Sequence, residues 1–352
     1  MVIRVMQPMM PSKDDIIPYL SEIDSTGIYS NFGPLHNRLV ARLSVYLNVD
    51  PACIVLFSNA TVALQSGISL FKPNSLHGAH LPAWTFTATA SSVLASGVEA
   101  KFVDVDSDWR AKFESNVSLA IDVLPFGDEL RSDPIRSEYQ VIDGAASIDS
   151  LHGCGPSLPP NSILVISMHA TKLIGAGEGG VCVASSPDVA NELKSWSNFG
   201  FEGTRISQTI GTNAKLSEYS AAIALASLDR WEKTREILKS VGRMAIESIK
   251  DLDVKVAPSM DKGFITPYWV VQFKTPRLKE LAEVAFMNKD IETRNWWSNG
   301  CHKMPAYKSI AYDDLSNTEL LAKTTLGLPF HARLSETNID QIRSTLISVL
   351  SV

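Results

Sequence analysis

The chain lacks the features that mark several large protein classes. It has no long hydrophobic run: none of its 352 residues belongs to a stretch approaching the roughly 18 apolar positions of a membrane-spanning helix. It has no basic excess. Lys and Arg number 32 against 38 Asp and Glu, a net charge of −6, the opposite of the footprint expected of a nucleic-acid-binding protein. An anionic ligand must therefore be held by a local cluster, because the overall field does not attract it. Cysteine is scarce and dispersed. There are four, and the nearest pair, Cys154 and Cys182, stands 28 positions apart. That spacing excludes a CxxC-type redox or metal motif, so no metal site is expected. The opening residues, MVIRVMQPMMPSKDD, hold no apolar core of signal-peptide length. Reduced thiols and a cytoplasmic setting are the expectation.

What is present is ordinary globular composition, 45 % hydrophobic and 20 % charged. The length fits a large domain with a smaller lobe. The first 35 residues read as irregular, with Pro8, Pro11 and the turn Asn31-Phe32-Gly33-Pro34. Leu35, Leu39, Leu43 and Leu47 then recur at helical spacing. Short apolar runs follow at Ile54–Phe57, His80–Pro82, Lys101–Val105, Leu119–Leu124, Gln140–Ile142 and Ile163–Ile166. Helical patterns intervene at Thr61–Leu70 and Thr87–Ser96. Such alternation predicts an α/β domain with a largely parallel sheet flanked by helices. Helical text runs from Glu218 to Leu252, and a mixed α+β pattern follows, with strand-like Tyr268–Phe273 and a last helix from Ser335. We expect a large domain over residues 1–240, whose first 35 residues can pack on the smaller lobe, and a small C-terminal domain over 241–352.

Three segments carry chemistry. In ILVISMHATKLIGAGEGGVCVAS, residues 163–185, a strand ends near Ser167, another begins at Val181, and Lys172 lies between them with Gly175, Gly177, Gly179 and Gly180. A lysine held in such a loop is a candidate Schiff-base nucleophile; a surface lysine on a Gly-rich connection fits equally. In FSNATVALQSG, residues 57–67, a strand enters a helix through Ser58, Asn59, Ala60 and Thr61. The N–H groups of a helix start and these hydroxyls form a phosphate seat, or Asn59 and Thr61 simply cap the helix. In QVIDGAAS, Asp143 stands where a strand should end. An acid there can pair with a protonated pyridine nitrogen, or form an Asp-Gly turn.

These segments, in this order, resemble the DegT/DnrJ/EryC1/StrS sugar aminotransferases of the fold-type I pyridoxal 5′-phosphate (PLP) enzymes. SMHATKLIGAGEGG is similar to the family's lysine signature and SNATVAL to its phosphate turn. LPAWTFTATA with AKFVDVD, GTNAKLSEYSAAIALASLDR, and TLGLPFHARLSETNIDQI resemble three further family stretches. The resemblance implies PLP on Lys172, which also shuttles a proton. It implies Asp143 at the ring nitrogen, with Gly144 as the other register. Phe86 would stack on the ring, with Trp84 as the other candidate, and Ser167 and Thr61 would hold the phosphate. Asn213 would reach the phosphate of a neighbouring subunit, implying a homodimer with a shared active site. The chain departs from the pattern at Ala146, where the family carries Gln near the ring oxygen, at Lys215 for Arg, and at Ala60 for Gly.

The implied reaction moves an amino group from L-glutamate to a nucleotide-linked keto-deoxysugar, for O-antigen or another polysaccharide, or for a glycosylated metabolite. A keto-cyclitol acceptor is the alternative within this class, and a PLP-binding regulatory protein with little turnover the alternative outside it. On the substrate side the candidates are Arg294 beside Trp296 and Trp297, His169 in the lysine loop, His302, His331 and Lys215. Each has a bland reading as a packing or surface residue.

Overall fold

In the computed structural model the described residues are 2–72, 78–114, 117–155 and 157–351. Their strands are β1 (Ile54–Phe57), β2 (Ala79–Pro82), β3 (Ala100–Val103), β4 (Val117–Val123), β5 (Ser137–Asp143), β6 (Ser162–Ser167), β7 (Gly180–Ala184), β8 (Val254–Val256), β9 (Trp269–Phe273), β10 (Ala311–Tyr312) and β11 (Thr325–Leu328). Eight of them form one sheet in the order β1-β7-β6-β5-β4-β2-β3-β10. β7 is antiparallel to both its neighbours, and the remaining pairs are parallel.

β6 and β7 are buried along their whole length because helices cover both faces. Successive residues go to opposite sides, as the two-residue period of a strand requires. Leu164, Ile166, Val181 and Val183 join one core cluster, and Ile163, Val165 and Cys182 join another. A second sheet, β11-β9-β8, is antiparallel and lies with the helices Pro276–Met287 and Glu336–Leu350. The chain's first residues run beside it: Ile3 bridges Ile291, and Phe330 N–H donates to the Val5 carbonyl. β10, although late in the chain, pairs with β3 in the large sheet. No helix among the described residues is long and apolar enough to cross a membrane.

The sequence expectation fails for residues 13–26, read as irregular and in fact helical (Lys13–Thr26). Ser12 and Asp15 form a reciprocal capping box, and Gly27 ends the helix at φ 64°. Pro18 disguised the helix. It lies near the start and removes one internal hydrogen bond, while packing against the helix Glu218–Asp229 holds the segment.

The helix Pro34–Leu47 buries Leu35, Leu39, Leu43 and Leu47, as their spacing predicts. Its cap, Gly33, offers no side chain. Instead the buried Glu218 carboxylate accepts the Leu35 and His36 N–H groups, both at 2.8 Å. Glu218→Ala leaves two helix donors unpaired in the interior and should cost about 2–3 kcal/mol in urea unfolding. A loss under half that size would show that water replaces the carboxylate.

Candidate active site

The carboxyl ends of the parallel strands lie along one edge of the sheet, the edge at which open α/β sheets gather ligands. β5 ends on Asp143 and β6 on Ser167. β1 runs in the same direction as β6, since both are antiparallel to β7, and leads into the helix Ala60–Leu70. Gly180 is in register with Phe57 on one side and Ser167 on the other. A Cβ on Gly180 would lie 2.7 Å from the Asn59 carbonyl oxygen and 2.8 Å from the Ala60 nitrogen. Only glycine lets the end of the lysine loop approach the helix start this closely. Asn59 caps that helix by accepting the Val62 N–H, which leaves Thr61 exposed on the first turn.

Lys172 is half-buried in the loop between β6 and β7. Its Nζ donates to the Tyr268 hydroxyl at 2.6 Å. Tyr268, just before β9, is held edge-on between Phe126 and Trp296, with ring centroids 5.5 and 4.9 Å away. The Arg294 guanidinium lies 5.2 Å from the Trp296 ring centre. Gly327 makes room for that indole, since a Cβ there would collide with its Nε1. Phe126 stacks on Trp297 at 4.1 Å, and Trp297 meets Trp84 edge-on at 5.2 Å.

Asp143 is 6 % exposed. Thr89 Oγ1 donates to its Oδ2 at 2.7 Å, Thr89 pairs with Thr85 at 2.9 Å, and the Ala145 N–H donates to Oδ1 at 3.2 Å. Burial pushes this carboxyl above the usual range. The Thr89 and Ala145 bonds and the positive charge of Lys172 oppose that push. An acid and an amine thus sense each other at this edge.

A model of the DegT/DnrJ/EryC1/StrS aminotransferase family matches residues 11–122 and 160–347. The chain belongs to this family. It is 27 % identical over 365 aligned positions to the dTDP-4-amino-4,6-dideoxy-D-glucose transaminase of Shigella dysenteriae, with 98 % of each chain covered. Two solved structures share the fold. One is a DegT DnrJ EryC1 StrS aminotransferase from Brucella abortus (TM-score 0.82, 23 % identity, 97 % of this chain and 96 % of that one). The other is DesI in the presence of its TDP-sugar product (TM-score 0.84, 24 % identity, 99 % of this chain and 93 % of that one).

The family's motif positions do not all gather at Lys172. The Ser167 N–H donates to the Ala145 carbonyl, which ties the end of β6 to the turn after β5 beside Ala146. The Ala146 side chain has no polar atom, and its carbonyl faces Gly127. Ser58 N–H donates to the Ala214 carbonyl at 2.8 Å, placing Asn213 and Lys215 beside the Ser58–Thr61 turn. Lys215 Nζ donates to Asn213 Oδ1 at 2.7 Å and Asn198 Oδ1 at 2.8 Å, and burial holds its pKa below the usual lysine value. Phe86 is 57 % exposed, whereas Trp84 is 3 % exposed and locked among aromatic rings. The contacts of the three histidines run elsewhere. His169 meets Thr171, His302 packs on Tyr312 with Glu319 3.7 Å away, and His331 accepts the Arg333 N–H.

Two contributors escaped the sequence reading. Thr89 carried only a faint signal, as one of three threonines at 85, 87 and 89 around the start of the helix Thr87–Ala95. Tyr268 carried none beyond its place at the head of an apolar strand. Among the described residues, no group of three or more His, Cys, Asp or Glu side chains is placed to hold a metal.

The raised Asp143 carboxyl has a consequence for stability. Its folded-state pKa lies above the ordinary 3.8, so ionising it costs more in the folded chain than in the unfolded one. Relative to Asp143→Asn, the ligand-free protein should lose stability as pH rises from that ordinary value through the raised one. Urea unfolding of both proteins across the acid-to-neutral range measures the difference, and parallel stability curves would contradict the assignment.

Proposed function

We propose that this family member binds PLP at Lys172 and moves an amino group from L-glutamate to a nucleotide-linked keto-deoxysugar, as a cytoplasmic homodimer supplying a surface glycan such as O-antigen or a glycosylated metabolite. One observation carries the reading: the Lys172 amine and the buried Asp143 carboxylate share the carboxyl edge of the sheet, and Gly180 seats a helix start against the same edge.

The residues fit the cofactor. The Ala60 and Thr61 N–H groups at the start of the helix Ala60–Leu70, with the Thr61 and Ser167 hydroxyls, suit a phosphate dianion. Asp143 suits the pyridine nitrogen, and the Thr85–Thr89 hydroxyl chain orients it. Phe86, largely exposed at the start of its helix, leaves a ring face for stacking. PLP when bound supplies an electron sink for cleavage at the carbon that bears the amino group. Lys172 would carry the cofactor at rest, and its amine, once displaced by the amine of the substrate, would be free to move a proton at that substrate carbon.

Arg294 is exposed and already stacked on an indole, a disposition suited to a pyrophosphate with a flat or apolar group beside it. Lys215 has no carboxylate within ion-pair distance among the described residues, so its charge is available to an anion near the phosphate turn. The dimer is supported by a band of exposed apolar residues close to Asn213: Phe199, Ile206, Ile210 and Tyr219, with Ile210 95 % exposed.

Lys172→Ala should abolish borohydride trapping of PLP on the protein; trapping that survives in this variant would refute the assignment. With the native protein, L-glutamate should convert the yellow absorbance to that of the pyridoxamine form, and keto-sugar nucleotides should reverse it. A protein that stays yellow with every amino donor would instead be a regulator. Asn213→Ala should weaken PLP retention about tenfold, read by dialysis, and a fully active monomer would overturn the shared site.

A further inference from the structure

Tyr268 belongs to the C-terminal part of the chain, yet it makes the hydrogen bond received from Lys172 Nζ, at 2.6 Å. Its ring has little freedom. Phe126 and Trp296 meet it edge-on from two sides. Trp296 is in turn wedged by its approach to Gly327, and Phe126 is stacked on Trp297. The hydroxyl is therefore presented to Lys172 by a packed wall, not by a mobile side chain. In the turn after β5, Ala146 stands where the family carries Gln and has no polar side-chain atom, and Ser147 is fully buried.

The chemistry of PLP extends this geometry. Its 3-oxygen and its aldehyde carbon sit on adjacent ring atoms. A nitrogen joined to that carbon lies within hydrogen-bond reach of the 3-oxygen. A donor fixed beside Lys172 Nζ is thus placed beside the 3-oxygen as well. We propose that Tyr268 is a positioning residue that holds Lys172 toward the cofactor and donates a hydrogen bond to the 3-oxygen of PLP, the role left open by Ala146. The inference rests on the reading of Lys172 as the PLP lysine. A donor on the 3-oxygen stabilises its anionic form. Withdrawing that donor makes the oxygen hold the shared proton of the linked nitrogen more tightly.

The test is the pH titration of the visible band of the holoprotein, followed by absorbance without any substrate. Tyr268→Phe should move the midpoint upward by about one pH unit, a tenfold change in proton affinity. Difluorotyrosine incorporated at position 268 keeps the shape and is a stronger donor, so it should move the midpoint downward; it also serves should Tyr268→Phe fold poorly. A role confined to packing would move neither midpoint. Native protein that is yellow and trapped at Lys172, with unchanged midpoints in these variants, overturns the role of Tyr268 alone. Native protein that takes up no PLP at Lys172 overturns the functional reading together with this inference.

Discussion

Burial on both faces of β6, β7 and the second half of β5 constrains everything else in this molecule. A strand covered by helices on both sides carries mostly apolar side chains, since an unpaired polar group there is costly; Gln140 in β5 and Ser162 at the head of β6 are buried exceptions. Polar chemistry is displaced to the strand ends. Asp143 and Ser167 are the last residues of β5 and β6. Lys172 occupies the loop that must reverse direction between the parallel β6 and the antiparallel β7. That reversal needs backbone freedom, and the approach of Gly180 to the Asn59–Ala60 turn needs the absence of a side chain. Glycine-rich text around the lysine follows from topology as much as from ligand binding.

Asp143 shows how the site holds charge at a cost to the ligand-free chain. Burial favours its neutral form, while two hydrogen bonds and the charge of Lys172 favour the ionised one. The threonine pair beside it contributes direction as well as energy, because the Thr89 hydroxyl holds Oδ2 and the Ala145 N–H holds Oδ1. Such unfavourable burial, partly offset, is common where function demands a charge at a defined place.

The C-terminal sheet brings a second set of residues to Lys172. Its elements deliver Tyr268 from the segment before β9 and anchor Trp296 against Gly327 in β11. The aromatic packing from Trp84 through Trp297 and Phe126 to Tyr268 joins the end of β2 to this second sheet. The two sheets are thereby coupled at the lysine by rigid rings, whose two side-chain torsions lose little entropy on packing.

The alternation of strand and helix, and the placement of Lys172 in a loop, of Asp143 at a strand end and of the Ser58–Thr61 segment at a helix start, were legible because apolar periodicity and glycine placement are local properties of a chain. So was the helix Pro34–Leu47, whose leucines recur at one spacing. The helix Lys13–Thr26 was hidden by its proline and by a single buried residue, Ile23, leaving no stripe to read. The Thr89–Asp143, Lys172–Tyr268 and Trp296–Gly327 contacts were beyond sequence reasoning, because each brings together residues far apart in the chain, 54, 96 and 31 positions respectively. The sequence by itself determined which elements form and which residues carry reactive groups, since those follow from side-chain chemistry and short-range pattern. Only the tertiary structure decided that Lys172 meets a tyrosine, that Asp143 is buried within reach of its charge, and that the histidines face elsewhere. Those outcomes arise from long-range packing, where the direction of each side chain is set by its neighbours and not by its own place in the chain.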